Sequence, residues 1–122
     1  WTLGMNTSDS NATISISNTT GSYVKIGRQV TATIYSGSLN ISAAGSGSIR
    51  LTGLPFASAG GLQSYAVPSF GHTDCFTNAA DGYVPINNSY VLVTNQGTVA
   101  NNTYRAGSPR YMMMTVTYFT NE

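Results

Sequence analysis

The chain has 122 residues, of which 41% are hydrophobic and only 7% are charged, whereas ordinary soluble proteins contain about 25% charged residues. The formal net charge of +1 provides no basic surface for nucleic acid, and no apolar run approaches the roughly 20 residues that span a bilayer. The single cysteine, Cys75, excludes an intrachain disulfide. We therefore expect stability to come from packing, with neither nucleic acid nor membrane insertion as part of the function.

The residue types favour strands over helices along the whole chain. Lys and Glu, which favour helices, occur once each, whereas Thr, Val, Ile and Tyr are common. The pattern of about eight to ten short strands at regular spacing predicts an all-β fold, an antiparallel β-sandwich of the jelly-roll type. We expect one domain covering 1–122, and we expect it to be a fragment of a longer chain because it begins at Trp1 without methionine.

The clearest local structure is a hairpin that joins Tyr23–Ile26 to Val30–Tyr35. A two-residue loop would place the apolar residues of the two strands on opposite faces. A three-residue loop, Gly27–Gln29, would pair Ile26 with Val30 and place them on one face, so we predict the three-residue loop. Further strands are predicted at Thr13–Ser17, from Leu39 to the turn at Gly45–Gly47, and at Ile49–Thr52, Gln63–Val67 and Ser89–Thr94.

The final strand, from about Arg110 to Thr120, is apolar on both faces. Its two sets of apolar side chains are Met112, Met114, Val116 and Tyr118 on one face, and Tyr111, Met113 and Phe119 on the other. A strand that is apolar on both faces is buried on both, and in so small a domain a second chain is the expected cover. We predict an interface with another chain that includes Tyr111, Met112, Met113 and Met114.

Four segments occur in an order that resembles a known group of proteins: Trp1–Leu3, Gly21–Val30, Ile49–Phe56 and the Tyr/Met-rich final strand. They resemble the C-terminal β-sandwich domains of bacteriophage tail fibres and tailspikes, and of similar fibre proteins in marine and algal viruses. In that group a Trp-Thr-Pro start, a Tyr-x-Lys-Ile-Gly-Asn-x-Val hairpin and a Gly-Leu-Pro-Phe corner recur in this order. Leu3 and Arg28 depart from the pattern, at positions where Pro and Asn are expected.

The resemblance implies a homotrimer with a jelly-roll-like sandwich in each chain, located in the tail fibre of a virion and exposed to the extracellular medium. It also implies trimerisation and binding to a host receptor, a cell-surface glycan, with no catalysis and no cofactor in this domain. Two alternatives stay open. The domain could be a purely structural trimeric cap of the fibre, or a carbohydrate-binding accessory module of a polysaccharide-degrading enzyme.

Candidate glycan-binding residues lie in the loops of the second half. Proteins bind sugars with aromatic faces and with polar side chains that hydrogen-bond the hydroxyl groups. The predicted residues are His72 and Asp74 in one loop, Tyr83, and Tyr104 with Arg105 in an Asn-rich loop where we expect both to be exposed.

No catalytic or metal site is predicted. One His and one Cys cannot complete a zinc site, unless three copies of His72 meet on a trimer axis, and Cys75 is expected to be a small buried hydrophobic residue. Asp74 and Asp81 could flank one loop, but nothing around them suggests the buried, pKa-raised acid of a glycosidase. No G-x-S-x-G motif is present. We therefore predict a protein that is not an enzyme.

Overall fold

The computed structural model describes all residues from Trp1 to Glu122, arranged as two antiparallel sheets without an α-helix. This confirms the all-β prediction. The strands are β1 (Gly4–Thr7), β2 (Thr13–Ile16), β3 (Ser22–Ile26), β4 (Gln29–Ala43), β5 (Ile49–Thr52), β6 (Pro68–Phe70), β7 (Asp81–Tyr83), β8 (Tyr90–Thr94) and β9 (Gly107–Phe119). Two short 3₁₀ helices cover Leu62–Ser64 and Val99–Asn101. Neither helix has the length and hydrophobicity needed to cross a membrane.

The smaller sheet has the strand order β1-β5-β8-β7, and the larger sheet has the order β2-β4-β9-β6. β4 and β9 are the longest strands and pair from Gln29 opposite Phe119 to Ile41 opposite Gly107, with two register shifts. β2 and β3 both pair with β4, β3 with its first half and β2 with its second half. Isolated bridges at Thr2–Thr20 and Ala66–Val84 connect segments that flank the two sheets.

Both sheets contribute inward-facing side chains to one hydrophobic cluster of 21 buried residues. The contributions of the two long strands are Val30, Ala32, Ile34, Leu39 and Ile41 from β4, and Met112, Met114, Val116 and Tyr118 from β9. The smaller sheet adds Met5, Ile49, Leu51, Val91 and Val93. β9 therefore alternates as predicted, and its even-numbered residues are covered by the chain's own core.

The hairpin between β3 and β4 differs from the prediction. Ile26 pairs with Gln29, so the loop contains only Gly27 and Arg28. Gly27 has a φ of 59°, and a Gly with positive φ at the first central position is typical of a II′ hairpin turn. The predicted register was wrong because it assumed that β3 is buried. Every residue of β3 is exposed, and Val24 and Ile26 point away from the core.

Other segments also differ from their predicted structure. Ser36–Ser38, expected to be a loop, is a bulged part of β4, so the two strands predicted around it are one. Gln63–Val67 is not a strand, because a 3₁₀ helix ends within it and β6 begins only at Pro68. Proline is tolerated at the first position of a strand because no ladder hydrogen bond needs its missing N–H. β1 was not predicted, since its four residues show no clear alternation.

Gly53 brings the corner after β5 close to the first residues of the chain. Its φ is 93°, and a Cβ atom there would lie 1.8 Å from the backbone oxygen of Thr2. Gly97 also has a positive φ, 77°, but its Cβ would meet no atom within 4 Å. Both positions disfavour an L side chain, and only Gly53 adds a collision with backbone.

We expect Gly53→Ala to lower the free energy of unfolding clearly more than Gly97→Ala does. The left-handed conformation costs about 1–2 kcal/mol in both variants, and Gly53→Ala adds the displacement of Thr2. Urea unfolding followed by Trp1 fluorescence measures the difference. Equal losses would contradict the close contact between the corner and the first strand.

Burial raises the pKa of three groups in the fold. Loss of hydration is the main cause, and it raises the pKa of Cys75 and of Tyr118 to about 12. It also raises the pKa of Tyr104 well above its ordinary value. Because these groups lose protons earlier in the unfolded chain, near pH 9 for the thiol and 10 for the phenols, the folded state binds more protons in alkaline solution.

We expect stability to be fully retained below about pH 9 and to fall as the pH rises toward 12. Urea unfolding at a series of pH values from 7 to about 11 measures this loss. In Cys75→Ala the decline should begin about one pH unit later, where the phenols start to ionise. A free energy of unfolding that is constant up to about pH 11 would contradict the burial of these groups.

Candidate functional site

The surface of β3, β4 and β9 that points away from the core, here called the outer face of the larger sheet, carries no charged side chain. Its positions are Ser22, Val24, Ile26, Gln29, Thr31, Thr33, Tyr35, Tyr111, Met113, Thr115, Thr117 and Phe119. Ile26 is 75% exposed, Phe119 47% and Met113 39%. Large exposed apolar patches mark interaction sites in soluble proteins, so this face is a candidate interface.

The hydroxyl groups on this face bond one another. Thr31 and Thr117 share a hydrogen bond of 3.0 Å between their Oγ1 atoms, and Ser22 and Thr33 share one of 3.1 Å. A hydroxyl that keeps its partner when water is removed costs less to bury than one that loses it. These paired hydroxyl groups can therefore be buried in an interface at little cost.

The segment that follows β6 is held against β9 by Asp74. The Asp74 carboxylate accepts the backbone N–H of Tyr111 at 2.9 Å and forms an ion pair with Arg110 at 3.4 Å. The backbone N–H of Asp74 donates to the Tyr111 oxygen at 3.0 Å. Asp74 thus has a structural role, and its carboxylate is already occupied within the chain.

Three aromatic rings lie together at one end of the same outer face. The exposed ring of His72 stacks on Tyr111, with centroids 4.0 Å apart and planes at 1°. Tyr35 lies beside them, with its centroid 6.2 Å from that of His72. The cluster adds aromatic area to this face. The neighbouring charged groups, Asp74 and Arg110, already form an ion pair with each other.

The outer face of the smaller sheet has a different character. One row of paired residues crosses its four strands: Asn6, Arg50, Leu92 and Tyr83. The guanidinium carbon of Arg50 lies 4.9 Å from the ring centroid of Tyr90. Tyr65 packs edge-on against Tyr83, with 5.7 Å between centroids. This face combines one positive charge and three tyrosine rings with the Asp81 carboxylate, which lies two residues from Tyr83 on β7.

The five predicted glycan-binding residues do not form one site. Tyr104 is only 2% exposed, and its hydroxyl donates to the backbone oxygen of Asn6 at 2.9 Å. The expected exposure of Tyr104 was wrong, because a bridge to Phe76 brings the ring into the core. Arg105 is exposed as expected, and its backbone N–H donates to the oxygen of Cys75 at 2.8 Å.

The remaining predicted glycan-binding residues lie on different surfaces. His72 belongs to the aromatic cluster of the larger sheet, whereas Tyr83 lies on the outer face of the smaller sheet. The two predicted loops also line separate grooves. One groove of about 270 Å³ is lined by Phe70, Gly71, Thr73, Phe76, Asn78, Ala79 and Ala80, and the other of about 380 Å³ lies between 45–48 and 99–103 and has no aromatic lining.

The predicted interface residues divide between the two faces of β9. Met112 and Met114 are 0% and 1% exposed within a single chain, so their assignment to an interface needs correction. Tyr111 and Met113 point outward, and Met113 is the more exposed. Both sets of β9 side chains include large apolar residues, so residue type alone could not indicate which set the core of the chain covers.

Cys75 is a free and fully buried thiol, as predicted from its residue type. The raised pKa of Cys75 keeps it protonated near neutral pH, and a protonated thiol is a poor nucleophile. No group of three or more His, Cys, Asp or Glu side chains lies close enough together to hold a metal ion.

No family model, curated protein or solved structure matches the chain. The functional assignment therefore depends on the two outer faces and on the motifs in the sequence.

Sequence reasoning missed Arg50, Tyr65 and Tyr90 as candidate binding residues. The signal for Arg50 was present, since it alternates with Ile49 and Leu51 and must point away from the core. Its proximity to Tyr90 follows only from the pairing of β5 with β8, which no local pattern specifies.

We expect Tyr104→Phe to lower the free energy of unfolding by about 1 kcal/mol, because it removes the hydrogen bond to the Asn6 oxygen. Tyr83→Phe is the matched control and should change stability little, since its ring is exposed. Urea unfolding at pH 7 compares them. An unchanged stability of Tyr104→Phe would argue against its place in the core.

Proposed function

We propose that this chain is the C-terminal domain of a viral tail fibre or tailspike, a jelly-roll-like β-sandwich that forms a homotrimer and binds a host-surface glycan without catalysis. The observation that carries the proposal is the uncharged outer face of the larger sheet, which exposes large apolar side chains at both ends. The segments that resemble fibre domains support the same assignment, and the proposed trimeric state is taken from that resemblance.

A second copy of the chain suits this face because both surfaces would be apolar and uncharged. Tyr35 and Met113 are paired on neighbouring strands near one end, and Val24, Ile26 and Phe119 lie toward the other end. Contact of this face with neighbouring copies removes apolar area from water, which stabilises the complex. No charge on these strand positions would be left unpaired, so the large desolvation cost of a buried ion does not arise.

The cations nearest to this face are bound by their own chain. Lys25 points to the other side of β3, where its Nζ donates to the Gly27 oxygen at 2.7 Å and lies 5.7 Å from the ring centroid of Phe56. Arg28, in the hairpin turn, donates to the oxygen of Thr120 at 3.1 Å and to the side chain of Asn121 at 2.9 Å. These contacts favour an interface of apolar character.

The different characters of the two outer faces are consistent with a fibre domain. If copies cover the larger sheets, the outer face of the smaller sheet stays open to solvent on each subunit. Its tyrosine rings offer apolar faces with polar ends, the combination that proteins use to bind sugars. We accordingly place the domain on the outside of the virion, in contact with the host surface.

We expect Met113→Asp to convert the trimer into monomers, because each interface would have to bury an unpaired carboxylate, at a cost of several kcal/mol. Sedimentation velocity measures the mass against the 12.8 kDa chain. Val99→Asp is the matched control: Val99 is 37% exposed and Met113 is 39%, but Val99 lies in the 3₁₀ helix before β9.

The variant Met113→Asp should stay folded, since the side chain is exposed in the single chain, and circular dichroism verifies this. A wild-type protein that is monomeric at micromolar concentration would overturn the proposed self-association. A stable dimer would agree with the proposed interface but contradict the trimeric state.

A further inference from the structure

We propose that the outer face of the smaller sheet binds an anionic saccharide, with the Arg50 guanidinium recognising its carboxylate or sulfate group. This inference rests on the proposed function, in which the ligand is a host glycan. It adds the chemical class of that ligand and the face that receives it.

Arg50 is held in place but has no hydrogen-bonding partner. Its side chain makes no ion pair, since the one ion pair of the chain joins Arg110 to Asp74, and its Nε is buried without a hydrogen bond. The Tyr90 ring, 4.9 Å from the guanidinium carbon, restrains the group by a cation–π contact. A restrained guanidinium offers its terminal N–H donors to a carboxylate or sulfate with little loss of side-chain freedom.

The two acids near this sheet form no ion pair with Arg50. Asp9, in the turn after β1, accepts a hydrogen bond from the Ser46 hydroxyl at 2.9 Å. Asp81 lies on β7, at the opposite edge from β1, and its carboxylate accepts hydrogen bonds from the Thr94 hydroxyl and from the backbone N–H of Gln96 at 3.1 Å. Those bonds hold it at the end of β8. An external anion can therefore approach Arg50 without displacing an internal partner.

The tyrosines give this face the features of a sugar site. Leu92 lies between Arg50 and Tyr83 in the row that crosses the sheet, so Arg50 and Tyr83 are two strands apart, about 10 Å. Tyr65 extends the aromatic surface beyond Tyr83. An oligosaccharide lying across the strands would place its acidic group at Arg50 and a neighbouring ring against Tyr83.

Isothermal titration calorimetry with four probes tests the proposal: galacturonate oligomers, their methyl esters, dextran sulfate and dextran. The first and third carry carboxylate and sulfate, and the second and fourth are the matched neutral sugars. We expect binding of at least one anionic probe and none of its neutral counterpart. The comparison between the first and third probes assigns the anion as a carboxylate or a sulfate.

Three variants separate Arg50 from general charge effects. Arg50→Gln should weaken binding about tenfold or more, the loss expected when a charge-assisted hydrogen bond is removed. Lys25→Gln, which removes an exposed cation of the larger sheet that has no ion pair, should bind as the wild type does. Arg50→Lys keeps the charge but loses the planar donor set, and it should fall between the two.

The proposal is overturned if neither anionic probe binds, if the neutral sugars bind equally well, or if Arg50→Gln and Lys25→Gln lose the same affinity. Sedimentation velocity of Arg50→Gln tests trimer formation separately from ligand binding, so the proposed trimer and the proposed Arg50 site can fail independently. A variant that still trimerises but does not bind supports a ligand site independent of assembly. A monomeric wild type that binds the anionic probe would overturn the trimer and retain the Arg50 site.

Discussion

The pairing of β4 with β9 is the constraint on which the rest of the structure depends. The two strands run side by side from Gln29 opposite Phe119 to Tyr35 opposite Met113 without interruption, and every other strand of the larger sheet pairs with one of them. Because side chains alternate between faces, this register places Val30, Ala32 and Ile34 in the core together with the even-numbered residues of β9. A slip of one residue would expose that set and bury threonines in its place.

The same register creates the outer face of the larger sheet. Each outward residue of β4 meets an outward residue of β9, so the threonines stand in adjacent pairs and Tyr35 meets Met113. β3 continues the face with Val24 and Ile26, because a two-residue turn brings it back with its apolar residues outward. A surface without charge, whose hydroxyls already share hydrogen bonds, is inexpensive to remove from water.

In the proposed function, the outer face of the larger sheet serves assembly and the outer face of the smaller sheet serves recognition. The larger sheet has apolar and hydroxyl side chains, whereas the smaller sheet has Arg50 and a group of tyrosines. The charged group is restrained by Tyr90 and lacks an internal partner, while Asp74 and Arg110 neutralise each other at the end of β9. In a chain with so few charges, an arginine left without a counter-ion on an aromatic surface is the clearest chemical feature for a ligand.

The sequence by itself determined the all-β class, most strand positions, the alternation of β9 and the burial of Cys75, since each depends on residue type or on the two-residue period. It could not determine the hairpin register, because a prediction based on apolar pairing assumed that β3 lies over the core. It also misplaced Tyr104, because the polarity of a loop does not reveal a ring that turns inward to reach Asn6. Only the tertiary structure decided which face of β9 the chain covers and which tyrosines surround Arg50. Both depend on contacts between strands that are far apart in sequence, and no local pattern encodes them.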